Sequence, residues 1–356
     1  MKSKTAHILS TLLILLTLGT ITSTLPSCGK WKTAKAVIAQ AENLDQHQHI
    51  LYSDTVALRQ AINALDNPIG RWLHPNILGK AYYYLGRNHS NASDIQAAAY
   101  CYVEADRMQI DNPLYRGRIN SCMAHIAKQN ESDSLALIFF ERANEAFKAS
   151  GKDWYYAHTL LDVSEYNAYL HRFHKADSVL QIAQSYALDS FYLARFHETK
   201  GLCHYEQLQY DSALYHLHRS LDFWQYEEDK FYTYKKLMQV YLDMDNFAQA
   251  LPYAQIIVEQ SSDPNDLVNA YYCLMQDAKV QNDIERLSQY AHARQDANTL
   301  LHDEIGKYKG ALTILQEYVA NPHPYRWAWI AILSAVAACL ILTLGIVLHR
   351  HHARKS

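Results

Sequence analysis

The sequence predicts an all-α fold, a solenoid of helix hairpins followed by a juxtamembrane helix and one transmembrane helix. Three observations predict it. The 356 residues include only 11 glycines and 8 prolines, sparse for a β fold rich in turns. A pattern of small and aromatic residues recurs through the middle of the chain every 37 to 40 residues. Both ends carry long apolar runs without charge, Ile8 to Ile21 and Trp327 to Leu348.

The N-terminus comes first. Lys2 and Lys4 precede the apolar run, and Ser23-Thr24-Leu25-Pro26-Ser27-Cys28-Gly29 follows it. A short positive region, an apolar core and small residues before a break describe an export signal over 1–27. Leu25-Pro26-Ser27-Cys28 resembles the lipobox of bacterial lipoproteins. In that family the cysteine is acylated and becomes the new N-terminus, so the resemblance implies lipidation at Cys28. Ordinary cleavage before Cys28 and an uncleaved signal anchor are the alternatives. Residues 28–78 are expected to form a helical cap, with one helix over Thr33–Asn43 and a second over Asp54–Leu65.

The clearest repeat runs from Gly79 to Asn112. It reads Tyr82, Leu85-Gly86, then Ala98, Tyr102 and Ala105, with Pro113 just beyond. Two antiparallel helices must approach closely, so Gly86 and Ala98 are small where they cross. Tyr82 and Tyr102 fill the space beside them, and Ala105 lets the next hairpin stack. The second-helix part recurs as Ala136, Phe140, Ala143; as Ala176, Leu180, Ala183; as Ala213, Leu217, Ser220; and more weakly as Ala250, Ala254, Ile257. A degenerate copy follows between Leu287 and Arg294, which closes an array over 79–297. Asp54-Thr55, Asp133-Ser134 and Asp211-Ser212 precede apolar-periodic stretches and are expected to cap helix amides.

This array resembles the tetratricopeptide repeat family. The resemblance implies a right-handed α-solenoid of tetratricopeptide-like hairpins, with the period longer than the standard 34 residues. The whole layout is similar to bacterial exported tetratricopeptide proteins with a C-terminal membrane span. Regulators among those relatives continue into a cytoplasmic helix-turn-helix. Here only His349 to Ser356 follow the apolar run, so direct control of transcription is not carried over.

The stretch 298–324 is expected to be an amphipathic juxtamembrane helix. Leu301, Ile305, Tyr308, Leu312, Leu315 and Val319 follow alternating steps of four and three, a heptad pattern. Two readings fit: a homodimer seam along 301–319, or a helix that caps the last repeat. Asn321-Pro322-His323-Pro324 breaks the helix. Within 325–348, the 22 uncharged residues from Trp327 to Leu348 would span ~33 Å as a helix, enough for a bilayer core of ~30 Å. Trp327 and Trp329 stand where aromatic rings favour the interface. Arg350, Arg354 and Lys355 make the tail 349–356 basic, and only Arg326 is nearby on the other side. The positive-inside rule then puts the C-terminus in the cytoplasm and the repeat domain in the periplasm, with the span in a bacterial inner membrane.

No catalytic motif occurs: there is no G-x-S-x-G, H-E-x-x-H, Walker or G-x-G-x-x-G sequence. The chain is therefore not expected to be an enzyme or to need a cofactor. His171 with His174, and His216 with His218, lack companion ligands at a defining spacing, so no metal site is expected. A net charge of −3 offers no field for nucleic acid. Cys101 and Cys122 fall on neighbouring helices, where a disulfide or two buried thiols are both conceivable.

Binding is what a solenoid suggests. Its first helices line the concave face. Counted from the repeat starts, Lys80, Tyr83 and Arg87, then Arg118, His125 and Lys128, point inward and form a candidate groove for a peptide or protein, basic at its N-terminal end. Glu165, Glu198 and Glu206 make the rest more acidic. The sequence is read as a membrane-anchored scaffold or adaptor of the cell envelope. The alternative is a sensory component whose output domain resides on a separate protein.

Overall fold

The computed structural model describes residues 28–45, 51–186 and 189–322. The expected signal segment and transmembrane run lie outside the described residues, as does the side chain of Cys28. Among the described residues there is no strand, and no helix is long and apolar enough to cross a membrane.

The helices pair into hairpins. The first pair is α1 (Cys28–Asn43) and α2 (Thr55–Leu65), followed by the short α3 (Pro68–Leu73). Then come α4 (Pro75–Asn91) with α5 (Ile95–Arg107), α6 (Pro113–Gln129) with α7 (Asp133–Ser150), and α8 (Asp153–Tyr169) with α9 (Phe173–Gln184). The last three are α10 (Ser190–Glu206) with α11 (Tyr210–Leu221), α12 (Phe231–Asp243) with α13 (Phe247–Gln260), and α14 (Pro264–Val280) with α15 (Ile284–Ala320). First helices of successive hairpins also pack on one another, most extensively α8 on α10; second helices do not do so comparably. The first helices therefore line the inner wall.

The repeat read from sequence is the packing repeat. Ala98, Ala136, Ala176, Ala213 and Ala250 are all fully buried, and so are their partners four and seven residues on. The reason small residues are needed is local. A Cβ on Gly86 would lie 2.8 Å from the Tyr102 ring, and one on Gly117 would lie 2.4 Å from the Phe147 ring. The tyrosines are mostly wedges: Tyr84, Tyr115, Tyr166 and Tyr192 are among the largest fully buried side chains. The degenerate sixth copy differs, since Leu287 and Arg294 are only half-buried.

A second mark of the repeat lies in the turns. Ser93, Glu131, His171, Leu208, Asp245 and Asn282 each adopt a left-handed backbone with φ between 52° and 59° at the bend inside a hairpin. None is glycine, although L-residues resist this region. The bend spends this strain to reverse the chain in three residues.

The start signals divide. Asp54 caps α2 as expected, accepting from Ala57 N–H at 2.9 Å. Asp133 and Asp211 instead lie inside the first turns of α7 and α11, with no side-chain cap bond at those starts. There their charge complements the helix dipole. Cys101, Cys122, Cys203 and Cys273 are free thiols.

The chain divides into two compact units, Met1–Leu315 and Gln316–Ser356. The second contributes the last turn of α15, which ends at Ala320 just before Asn321-Pro322. The boundary expected at 298 falls inside α15, which runs unbroken for 37 residues. Of the six heptad positions only Leu315 is buried, and Ile305 is 49% exposed. The row that is buried up to Leu315 is Ala297, Ala311 and Leu315. At Gly310 an added Cβ would lie 2.7 Å from Oε1 of Gln96, at the start of α5. The final helix thus crosses back to the first full repeat.

Candidate functional site on the inner wall

At the N-terminal end of the wall, α4 and α6 present the expected cations, and α1 answers them. Lys80 Nζ lies 2.6 Å from Glu42, and Arg87 and Arg118 each lie 2.5 Å from Asp45, one on each carboxylate oxygen. Arg118 also donates to the Tyr155 hydroxyl at 2.8 Å. Tyr83 is buried, with its ring edge-on to Tyr115 at 5.5 Å. The six residues do lie along one wall, but Glu42 and Asp45 take up most of the positive charge expected there. Sequence counting missed these two acids because it began with α4, one hairpin too late.

The middle of the wall is where charges gather. Glu165 is buried at the end of α8. Lys128 of α6 lies 3.8 Å from it, and Tyr232 of α12 donates to it at 3.0 Å. Lys236 donates to Tyr169 at 2.7 Å, and Arg195 of α10 lies 3.2 Å from Asp162 and 3.8 Å from Glu198. Burial alone would push the Glu165 carboxyl up; Lys128, Lys236 and Arg195 outweigh it and hold the group down at about 2. Glu198 goes the other way. Its burial prevails over Arg195 and over the hydrogen bond donated by Thr233, and pushes the carboxyl up to about 7. Its second oxygen, Oε2, is buried without a hydrogen bond. Burial also raises Asp162 and Glu206 and lowers Lys236. His125 keeps an open edge on the groove, yet the walls desolvate its ring and push its pKa down.

Beside this network opens a cleft of about 400 Å³. Lys128, Tyr169, Tyr205, Glu206, Tyr232, Lys236, Gln239, Asn265, Asp266 and Asn269 line it, together with the apolar Leu202, Leu217, Met238, Val240 and Ile257. Five successive first helices contribute, from α6 to α14. Lys235 is held by Asp266 at 2.9 Å. Asn265 and Asn269 are exposed and one turn apart on α14. The arrangement offers hydrogen-bond donors and acceptors in a row rather than a nucleophile beside a base. Among the described residues no group of His, Cys, Asp and Glu is placed to hold a metal. His197 and His216 approach with Nδ1 atoms 3.1 Å apart, but the rings are stacked and their lone pairs do not converge on one point.

The sequence placed Glu165, Glu198 and Glu206 on this face. It missed Asp162, Arg195, Tyr232, Lys236 and the asparagine pair. The available signal is the register of the first helices, which puts Asp162 beside Glu165 on α8 and Arg195 beside Glu198 on α10.

No protein-family model matches the chain, and no curated protein matches it. Solved structures do. A tetratricopeptide repeat protein from Parabacteroides merdae superposes with a TM-score of 0.50 at 12% identity, covering 78% of this chain and 99% of that one. A Rap protein complexed with competence and sporulation factor superposes with a TM-score of 0.50 at 14% identity, covering 83% and 97%. The chain has the tetratricopeptide-like fold.

Proposed function

We propose that this chain is a membrane-anchored scaffold that captures an extended segment of a peptide or protein along its inner wall. One observation carries the reading: the cleft lined from α6 to α14, with the exposed Asn265 and Asn269 among its lining residues. Side chains four apart on a helix stand ~5–6 Å from each other. Backbone groups on one edge of an extended chain repeat every two residues, ~6.6 Å. Each asparagine amide offers both a donor and an acceptor, which is what a peptide group needs. Two such amides in register bind main chain without reading its sequence; the lysines and carboxylates around them supply selectivity. The structure of a Rap protein with competence and sporulation factor supports a ligand-holding role for this fold by likeness alone.

The chain acts without catalysis or cofactor. The basic start and apolar run before Cys28, the apolar run 327–348 and its basic flank support an exported repeat domain in the periplasm of a bacterial inner membrane. Acylation at Cys28 would add a second anchor.

The test is selection from a random peptide library on the purified protein. Enriched peptides should bind at least tenfold more weakly to an Asn265→Ala/Asn269→Ala double variant, whose exposed sites leave the fold intact. Equal binding to both, or no enrichment, would refute the reading. A periplasm-only reporter fused after Pro322 should be active and one fused after Ser356 inactive; the reverse pattern rejects the topology.

A further inference from the structure

A second, smaller cleft opens at the other end of α10. It lies at the N-terminal ends of α10 and α12; the groove uses the last turn of α10 but also Tyr232, in the first turn of α12. Phe191 is the second residue of α10 and Glu206 its last, so along α10 the two clefts are ~22 Å apart, while Asp229 of one stands three residues before Tyr232 of the other. The cleft measures about 260 Å³ and is lined by Asp189, Phe191, Trp224, Tyr226 and Asp229, with Ser190 and Gln225 between them.

Its construction is unusual for a surface. Trp224 is nearly buried and its indole N–H is fixed on Thr233 at 3.0 Å. Phe191 stands against it nearly perpendicular, with centroids 5.2 Å apart. These two rings make a rigid corner. Phe191 is 43% exposed and Tyr226 65% exposed, so apolar faces stay open to water although a buried indole lies directly behind. The carboxylates are placed beside those faces. Asp189 uses one oxygen, Oδ1, on the Tyr192 N–H at 2.7 Å. Glu227 is matched by Lys230 at 2.7 Å. No cation is within ion-pair distance of Asp189 or Asp229 among the described residues.

Aromatic faces beside unneutralised carboxylates recognise cations. We infer that this cleft binds the cationic head of an arginine or lysine side chain of a partner peptide or protein. The rings take the face of the cation, and the carboxylates take its N–H groups. A guanidinium fits best, since it stacks on a ring while its edge forks to a carboxylate. A quaternary ammonium has no N–H to give, so it would leave both carboxylates without a hydrogen bond.

The experiment uses N-acetyl-argininamide, its neutral citrulline analogue and tetramethylammonium as probes, titrated into the full-length chain by calorimetry. The arginine compound should bind at least tenfold more tightly than citrulline. Asp229→Asn should reduce that binding about tenfold, and Tyr226→Leu should weaken it several-fold; both sites are on the surface, and unchanged circular dichroism confirms folding. Equal binding of arginine and citrulline would overturn the inference. So would tighter binding of tetramethylammonium, which would mark a quaternary-ammonium site, or indifference to Asp229→Asn. The asparagine double variant of the groove should leave all three titrations unchanged, which separates this site from the proposed peptide groove.

Discussion

The N-terminal end and the middle of the inner wall are made from the same residue types and reach different electrostatic states. At the N-terminal end, Lys80, Arg87 and Arg118 meet Glu42 and Asp45 in close pairs whose members mostly keep some contact with water. In the middle, Glu165 and Glu198 are both 3% exposed and share Arg195 and Lys236 among their neighbours. There one carboxyl is held at about 2 and the other rises to about 7. At the N-terminal end Asp45 joins Arg87 and Arg118, while Lys80 and Glu42 form a separate pair. The middle responds as a network, because in a poorly solvated site each charge is set by all of its neighbours.

The largest test of that contrast is removal of one acid from each region. Glu165→Ala leaves Lys128, Lys236 and Arg195 facing one another without their shared counter-ion. It should cost about 3–5 kcal/mol, the range for breaking a buried pair. Asp45→Ala also strands two cations, but Arg118 keeps the Tyr155 hydroxyl and Arg87 keeps water. About 2 kcal/mol is expected there, in line with charge-assisted hydrogen bonds that are partly solvated. Urea unfolding of both variants measures the two costs. Equal losses would erase the distinction between the paired and the networked region.

The pH dependence sharpens it. Glu198 has a folded pKa raised above its ordinary value, so its contribution is complete below ~4.5 and fades as pH rises through about 7. Glu198→Gln stays neutral throughout. Wild type should therefore lose stability relative to this variant between pH 5 and pH 8, by about 2 kcal/mol at 1.36 kcal/mol per unit. Burial lowers His158 and His216 to about 4, and these act in the other direction. Their contribution is present above ~6.5 and is lost as pH falls towards 4. Both histidines remain in the variant, so the difference between the two unfolding curves isolates Glu198. A difference that does not change with pH would mean that Glu198 is ionised in the fold.

The contrast also explains what was legible in the sequence. Ala98, Ala136, Ala176, Ala213 and Ala250 were visible because close helix crossings demand a small residue at one register, whatever surrounds it. The bends were not. Ser93, Glu131 and Leu208 occupy a left-handed backbone that sequence reading assigns to glycine or asparagine. Packing on either side forces the conformation, and nothing local announces it. The helix boundary expected at 298 failed for a related reason: no proline or glycine stop lies between Ile284 and that point, and α15 simply continues. Cations on the wall were legible from the register of α4 and α6. Their neutralisation was not, because Glu42 and Asp45 are 38 and 73 residues away from Lys80 and Arg118.

The smallest expected effect probes the quiet end most directly. Lys80 lies 2.6 Å from Glu42 and 4.8 Å above the Tyr115 ring. Lys80→Met keeps the length of the side chain and its contact with the ring while removing the charge. Glu42 is not stranded by the change, since Tyr115 still donates to it at 3.0 Å and 27% of its side chain is open to water. An ion pair in that setting contributes about 0.5–1 kcal/mol. The loss should shrink further when unfolding is repeated in 1 M salt, where the Debye length falls to ~3 Å. Glu165→Ala should show no such relief, because counter-ions do not reach a carboxylate buried between α8 and α12. A Lys80→Met cost as large as that of Glu165→Ala, and equally insensitive to salt, would show that the N-terminal pairs are part of the same network after all.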